Sequence, residues 1–231
     1  MLVDQPLKQY DLDIDHIHSK LLQVGGLVER RFHDALQCFC MGDIRRAEKI
    51  IQAIEHVDSL EVALNNACHQ LILGRHPAAK ELRTVMATVK VIVELEQVGD
   101  EAIKIAGAAR DLSERWGVAV NHYDVVRVIA GCTGSLLHDA LDSFARLDAR
   151  QAVSIIAQHR AVHIEFRSVT HILTTFMMED PGLVSSALNT MWMANAVERI
   201  GEHAINVAEC VIDLVEGRYI ERIEGADAMA D

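Results

Sequence analysis

The tetrapeptide His33-Asp34-Ala35-Leu36 recurs 105 positions later as His138-Asp139-Ala140-Leu141. Further apolar and acidic positions match at the same offset: Phe39 with Phe144, Asp43 with Asp148, and Ile50-Ile51 with Ile155-Ile156. The chain therefore contains two copies of one unit of about 105 residues. A repeat of this length constrains the fold more than any single motif does.

The offset between the two copies shortens to 102 in the last third of each unit. There Glu96-Gln97-Val98-Gly99-Asp100 aligns with Glu198-Arg199-Ile200-Gly201-Glu202. Pro77 and Pro181 lie 104 positions apart, between the two offsets, so one short insertion near them explains most of the change. These prolines mark the same loop in both copies.

Apolar residues recur at spacings of three and four in both units, which predicts helices. In the first unit we expect helices at about 15–41, 44–73 and 79–116, with Asp43 capping the second. In the second unit we expect them at about 124–146, 149–178 and 183–216, the last ending at Gly217. Short links between long helices give antiparallel neighbours, so the predicted fold is all-α, with two tandem, pseudo-symmetric three-helix bundles. The predicted limits are 13–118 and 119–218 for the two repeats and 219–231 for a flexible tail.

The composition of the chain excludes several classes of protein. Its 231 residues include 22 Lys and Arg against 34 Asp and Glu, and the net charge of −12 argues against binding to nucleic acid or an anionic membrane surface. Only 4% of residues are aromatic and three are prolines, which argues against a sandwich or barrel of short strands. No apolar stretch is long enough to span a membrane, and the N-terminus lacks a secretory signal. Five scattered cysteines favour buried, reduced thiols in a cytoplasmic protein.

Carboxylates interrupt the apolar stripe of two helices in the first unit. On a helical wheel the charged face of helix 79–116 holds Lys90, Glu94, Gln97, Glu101 and Lys104. Glu96 and Asp100, four residues apart, lie away from that face among apolar positions, and Glu61 and Asn65 interrupt the preceding helix in the same way. Oxygen ligands at this spacing on facing helices suit Mg²⁺, Mn²⁺, Fe or Zn²⁺. The alternatives are a solvated groove and neutralisation by a Lys or Arg.

The second unit keeps this pattern only in part. Glu198 and Glu202 preserve one carboxylate pair, and His163 lies on the partner helix, four residues after His159. On that helix Phe166 stands at the place matching Glu61, and the neighbouring Arg167 can neutralise Glu198 or Glu202 directly, without a metal. We therefore expect any metal mainly in the first repeat.

The chain resembles the PhoU family of phosphate-signalling regulators from about residue 15 to residue 217. The resemblance is carried by five segments in order: His76-Pro77-Ala78-Ala79-Lys80-Glu81-Leu82-Arg83, Leu95-Glu96-Gln97-Val98-Gly99-Asp100, Met177-Met178-Glu179-Asp180-Pro181, Val197-Glu198-Arg199-Ile200-Gly201-Glu202 and His203-Ala204-Ile205-Asn206-Val207-Ala208-Glu209. The resemblance implies two three-helix bundles and metal sites built from paired acidic motifs on two helices of each bundle. Carried over, the first site is Glu61, Asn65, Glu96 and Asp100, with Asn65 where an Asp is usual. The second places Glu198 and Glu202 opposite His163 and Arg167.

The same resemblance implies a regulator and not an enzyme. Family members repress the phosphate-starvation response when phosphate is plentiful, by coupling the phosphate ABC transporter to a sensor histidine kinase. The implied partners are the transporter's ATPase subunit and the kinase, and a homodimer is expected from the frequency of two-fold symmetry.

A carboxylate-bridged metal protein or di-metal enzyme unrelated to signalling remains the alternative. Di-iron bundles usually carry Glu-x-x-His motifs on core helices, and none of the 12 histidines has a Glu three residues before it. There is also no P-loop and no Gly-x-Ser-x-Gly nucleophile motif.

Overall fold

The computed structural model describes residues 4–52, 54–75, 77–116 and 123–217. Within these ranges the secondary structure is helical, with no strand, as predicted. The first unit forms α1 (Asp4–Met41), α2 (Ile44–Gln52), α3 (Ile54–Arg75) and α4 (Ala79–Trp116). The second unit forms α5 (Tyr123–Arg146), α6 (Ala149–Glu179), a short 3₁₀ helix (Pro181–Leu183) and α7 (Val184–Glu216).

These bounds differ from the prediction mainly at the ends. Helix α1 begins at Asp4, eleven residues earlier than expected. The bounds of α4 are those predicted, and α7 ends at Gly217, which adopts a left-handed conformation with φ 70°. The boundary at 118/119 and the predicted tail 219–231 lie outside the described residues, so the domain limits stay predictions.

Two three-helix bundles form as expected. In the first, α2 and α3 together cover the range of the predicted second helix, 44–73, and α1 packs against them and against α4. In the second, α5, α6 and α7 pack on one another. The apolar faces of both bundles join one core, because α4 packs along α7 and α1 contacts α5.

Equivalent turns link the first two helices of each bundle. Gly42 has φ 65° and Asp43 caps α2 by accepting a hydrogen bond from the Arg46 N–H at 3.0 Å. At the matching positions Leu147 has φ 53° and Asp148 caps α6, accepting from two backbone N–H groups at 3.0 and 3.1 Å. The predicted cap is confirmed, and the second copy repeats its geometry with a Leu where the first has a Gly.

The α1–α5 contact depends on a close approach at Gly25. A Cβ atom at this position would lie 2.8 Å from Cδ2 of Leu141, so only glycine fits without displacing that side chain. Nearby, the rings of His18 and Phe144 stack with centroids 5.1 Å apart.

Candidate functional site

The first-copy candidates occupy α3 and α4, which pack together. Glu61 and Asn65 on α3 and Glu96 and Asp100 on α4 are all half-buried, as their place in apolar stripes predicts. Asn65 donates its amide N–H to Glu61 at 3.1 Å, and Gln97 donates to Glu96 at 2.6 Å. Each helix therefore orients one of its own carboxylates.

The second-copy candidates form a direct contact between α6 and α7. Nδ1 of His163 lies 2.9 Å from Oε1 of Glu198, whose side chain is 16% exposed against 49% for the imidazole. Glu202 and Arg167 are exposed, and within the described ranges no ion pair links Arg167 to Glu198 or Glu202. The residue that contacts Glu198 is thus His163 and not Arg167.

Gly201 in the same motif provides space beside this contact. A Cβ atom at position 201 would lie 3.4 Å from the ring of His159 and 3.7 Å from Oγ1 of Thr133. The glycine between Glu198 and Glu202 lets the histidine ring of α6 approach the α7 backbone closely. His159 and His163 accordingly line α6 on the side that meets the carboxylate motif.

The first-copy candidates are three carboxylates and one amide, half-buried on neighbouring helices. Their oxygen atoms are the ligands that hard cations prefer. Across the described part of the chain, however, no group of three or more His, Cys, Asp or Glu side chains is arranged to hold a metal ion. The side chains of residues 53–58, which precede Glu61 in the sequence, lie outside that description. The metal assignments therefore stay predictions.

Polar contacts between α4 and α7 were not anticipated from the sequence. Glu94 accepts hydrogen bonds from Asn206 and pairs with His203, both at 2.8 Å. Glu101 is paired with Arg199 at 3.3 Å and with Lys104 at 2.7 Å, although Glu101 itself is only 2% exposed. The face that the helical wheel identified as charged is therefore an interface between the two bundles, and the pairing order shows that α4 and α7 run antiparallel.

A groove of about 600 Å³ lies along this interface. It is formed by the second half of α4 and the first half of α7. Its lining includes Lys104, Gly107, Trp192 and Arg199. The isolated Trp192, 64% exposed, is the sequence signal that could have indicated it.

Comparison with known proteins identifies the family. The PhoU domain pattern matches residues 21–109 and 126–211, one match in each bundle. The chain belongs to the PhoU family.

Several curated relatives in the PhoU family match nearly the whole chain. A Pseudomonas aeruginosa protein named phosphate-specific transport system accessory protein PhoU homolog is 35% identical over 94% of this chain and 89% of its own length. The Escherichia coli phosphate-specific transport system accessory protein PhoU is 32% identical over 94% of this chain and 89% of its own.

Solved PhoU structures share the fold. The crystal structure of PhoU from Pseudomonas aeruginosa superposes with a TM-score of 0.87 at 35% identity, covering 90% of this chain and all of that one. The regulatory protein PhoU from Streptococcus pneumoniae, at 21% identity, has a TM-score of 0.84 over 92% of this chain and 99% of its own. The resemblance to the PhoU family and the predicted all-α fold are confirmed.

No helix in the described segments combines the length and the apolar character that crossing a membrane requires.

Proposed function

We propose that this chain is a regulatory accessory protein of a phosphate-specific transport system and not an enzyme. The observation that carries the proposal is the near full-length match to relatives named as accessory proteins of that system. In this role the chain acts in the cytoplasm and lowers phosphate-starvation signalling when phosphate is plentiful. Its partners are the transporter's ATPase subunit and the sensor histidine kinase, and it works as a homodimer.

Deletion of the gene tests the repressor role most directly. We expect a phosphate-starvation reporter to be switched on in high phosphate and to be silenced again by the wild-type gene. A reporter that stays silent in the deletion strain would remove the repressor role. Purified ATPase subunit and the cytoplasmic part of the kinase should each bind the purified chain, and failure of both would remove the coupling role.

We also propose a divalent or ferric metal, Fe, Zn²⁺, Mg²⁺ or Mn²⁺, held mainly in the first repeat by Glu61, Asn65, Glu96 and Asp100. Glu61, Glu96 and Asp100 are carboxylates on two neighbouring helices, all half-buried, and a metal would offset the cost of removing these charges from water. In the second repeat His163 already contacts Glu198, so the carboxylate is partly satisfied without metal. Glu202 and His163 are therefore weaker ligands of a second site.

Metal analysis of purified variants distinguishes the two repeats. Glu96→Ala with Asp100→Ala should lose most of the bound metal, whereas Glu198→Ala with Glu202→Ala should keep most of it. A matched control replaces two exposed acids, Glu48 and Glu165, with Ala and should change nothing. Equal metal content in all four proteins would refute the first-repeat site.

A further inference from the structure

A buried hydroxyl group in the second bundle has no protein partner. Thr133 of α5 is 0% exposed, and its Oγ1 atom makes no hydrogen bond to any residue that the structure describes. Other threonines donate their hydroxyl hydrogen to the carbonyl oxygen four residues earlier in the same helix, at 2.8–3.3 Å: Thr84, Thr88, Thr170, Thr174, Thr175 and Thr190. Buried polar groups are normally hydrogen-bonded, so the exception at Thr133 requires a physical explanation.

This hydroxyl lies where the three helices of the bundle meet. A Cβ atom at Gly201 of α7 would lie 3.7 Å from Oγ1 of Thr133 on α5 and 3.4 Å from Nε2 of His159 on α6. Nε2 of His159 is buried, as is Oγ1 of Thr133. Two buried polar atoms from two helices therefore lie around one point beside the backbone of the third helix.

Gly201 leaves room at this point, because it has no side chain. No atom of α5 or α6 comes closer than 3.4 Å to the position that its Cβ would occupy, and the nearest atoms belong to His159 and Thr133. A buried water molecule needs a space of this kind together with polar partners, to which it forms hydrogen bonds of about 2.7–3.2 Å. The size of the space and the two polar atoms beside it thus suit a single water molecule.

The first copy has no such polar pair. By the repeat offset of 105, Thr133 corresponds to Val28 and His159 to Ile54, so both places carry apolar side chains there. Val28 is 0% exposed in the core of the first bundle. The three-helix architecture therefore accepts an apolar residue at either position, and the polar atoms of the second copy are not a requirement of the fold.

We propose that one water molecule is bound beside Gly201, between Thr133 and His159, and that it joins the three helices of the second bundle. It forms one hydrogen bond with Oγ1 of Thr133 and one with Nε2 of His159. His159 lies one turn before His163, whose imidazole contacts Glu198. The water therefore ties α5 to the side of α6 that meets the carboxylate motif of α7. This site is independent of the proposed regulatory role, and its tests use the purified chain alone.

The first test is Thr133→Val in the full-length chain, which removes the hydroxyl group and keeps the shape of the side chain. The bound water then loses a partner, and we expect the Tm to fall by about 2–4 °C. Thr190→Val is the matched control, because Thr190 is also buried but donates to the Ser186 carbonyl oxygen at 2.9 Å, and its Tm should not fall. A Tm of Thr133→Val equal to or above the wild-type value would overturn the proposal, since loss of an unpaired buried hydroxyl is not destabilising.

The second test fills the space with a methyl group. Alanine is the better helix former, so Gly131→Ala, at an exposed position of α5 where a Cβ atom meets nothing within 4 Å, should raise the Tm. Gly201→Ala should instead lower the Tm, because its methyl group displaces the water. In the Gly201→Ala background, Thr133→Val should no longer lower the Tm, since the hydroxyl has already lost its partner. A rise in Tm with Gly201→Ala, or an undiminished effect of Thr133→Val in that background, would overturn the proposal.

High-resolution crystallography of the wild-type chain locates the water directly. We expect one peak of electron density within hydrogen-bond distance of Oγ1 of Thr133 and of Nε2 of His159, and its loss in Gly201→Ala. A direct hydrogen bond between Thr133 and His159, with no density beside Gly201, would replace the water by a side-chain contact and overturn the proposal.

Discussion

Arg199 of α7 reaches α4 and places Nη1 3.3 Å from Oε1 of Glu101, a carboxylate whose side chain is only 3% exposed. Lys104 contacts the same oxygen from one turn along α4. This triad joins the two bundles at a point where a charge is almost fully removed from water. Its energetics can be measured separately from any partner.

Removing the buried charge should cost less than removing its partners. Glu101→Gln leaves two half-exposed cations that water can solvate, and we expect a loss of about 1–3 kcal/mol of unfolding free energy. Lys104→Met with Arg199→Met leaves Glu101 buried without a cation, and we expect a loss of about 3–5 kcal/mol. Chemical denaturation at neutral pH measures both. A double variant as stable as Glu101→Gln would contradict the view that the cations compensate a desolvated carboxylate.

Leu147 should be improved by glycine. Its φ of 53° lies in the left-handed region, which costs a residue with a Cβ atom about 1–2 kcal/mol, and its side chain is 48% exposed and packs little. Leu147→Gly should therefore raise the unfolding free energy by up to about 1 kcal/mol, the gain being reduced by the greater freedom of glycine in the unfolded chain. Thermal denaturation checks this prediction.

Two further substitutions, one at the matching turn of the first copy and one within a helix, test whether backbone strain determines the change in stability. Gly42→Leu, at φ 65°, should destabilise the chain. Leu73→Gly, an exposed position with helical backbone in α3, should also destabilise it, because the left-handed strain is missing there. Stabilisation by Leu73→Gly would mean that loss of an exposed leucine, and not backbone strain, explains any gain at position 147.

The cysteines should differ strongly in reactivity. Burial raises the pKa of Cys38 and of Cys68 to about 11 and that of Cys210 to about 12, so very little thiolate forms at pH 8. Cys132 is exposed on α5. In the native protein a thiol reagent should label Cys132 rapidly and these three buried thiols hardly at all, while denaturant should expose all five.

Cys132→Ser is the control for the assignment of fast labelling to Cys132. It should remove the fast phase of the labelling reaction without changing the slow phases. Rapid labelling of Cys38, Cys68 or Cys210 in the folded chain, located by mass spectrometry, would contradict their burial.

His18 should make stability fall in mild acid. Burial against α5 lowers the pKa of His18, which outweighs the opposing effects of the Phe144 carbonyl and of Asp15. Because the folded pKa is lower than the unfolded value of about 6.5, the unfolded chain binds the proton more readily. The contribution of neutral His18 is therefore complete above about pH 6.5 and is lost as the pH falls through the lowered pKa.

His18→Phe isolates this contribution, since a phenyl ring keeps the stacking on Phe144 but cannot titrate. The unfolding free energies of the wild-type chain and of His18→Phe are measured from pH 5 to pH 8. As the pH falls, the wild-type value should decrease relative to that of His18→Phe. Parallel pH profiles would show that His18 is not the responsible group.

The repeat made most of the fold predictable. The spacing of matched residues predicted three helices in each bundle, and in the first bundle α2 and α3 share the range of the second of them. The glycine, proline and aspartate positions located most helix ends to within one or two residues. Helix α1 was predicted too short because its first eleven residues lack a regular apolar stripe. The left-handed turn at Leu147 could be inferred only by analogy with Gly42, because leucine itself does not favour that conformation.

The candidate site was predictable in part, for a physical reason. Helical periodicity shows which residues share a face, but not what covers that face. Glu96 and Asp100 were correctly expected to be half-buried because apolar neighbours surround them in sequence. The burial of Glu101 was not predicted, because α4 has two covered faces. One faces its own bundle and the other faces α7, and the second is polar. Whether half-buried carboxylates enclose a cation depends on side-chain positions that the repeat does not determine.

The antiparallel pairing of α4 with α7 also has an evolutionary consequence. By the 102-residue offset, His203 and Arg199 occupy the places that Glu101 and Gln97 hold in the first copy. If two identical first halves associated in the same way, Glu94 of each would face Glu101 of the other, carboxylate against carboxylate. The halves of a duplicated ancestor have therefore diverged into complementary partners, and the first half expressed alone should not dimerise through this surface.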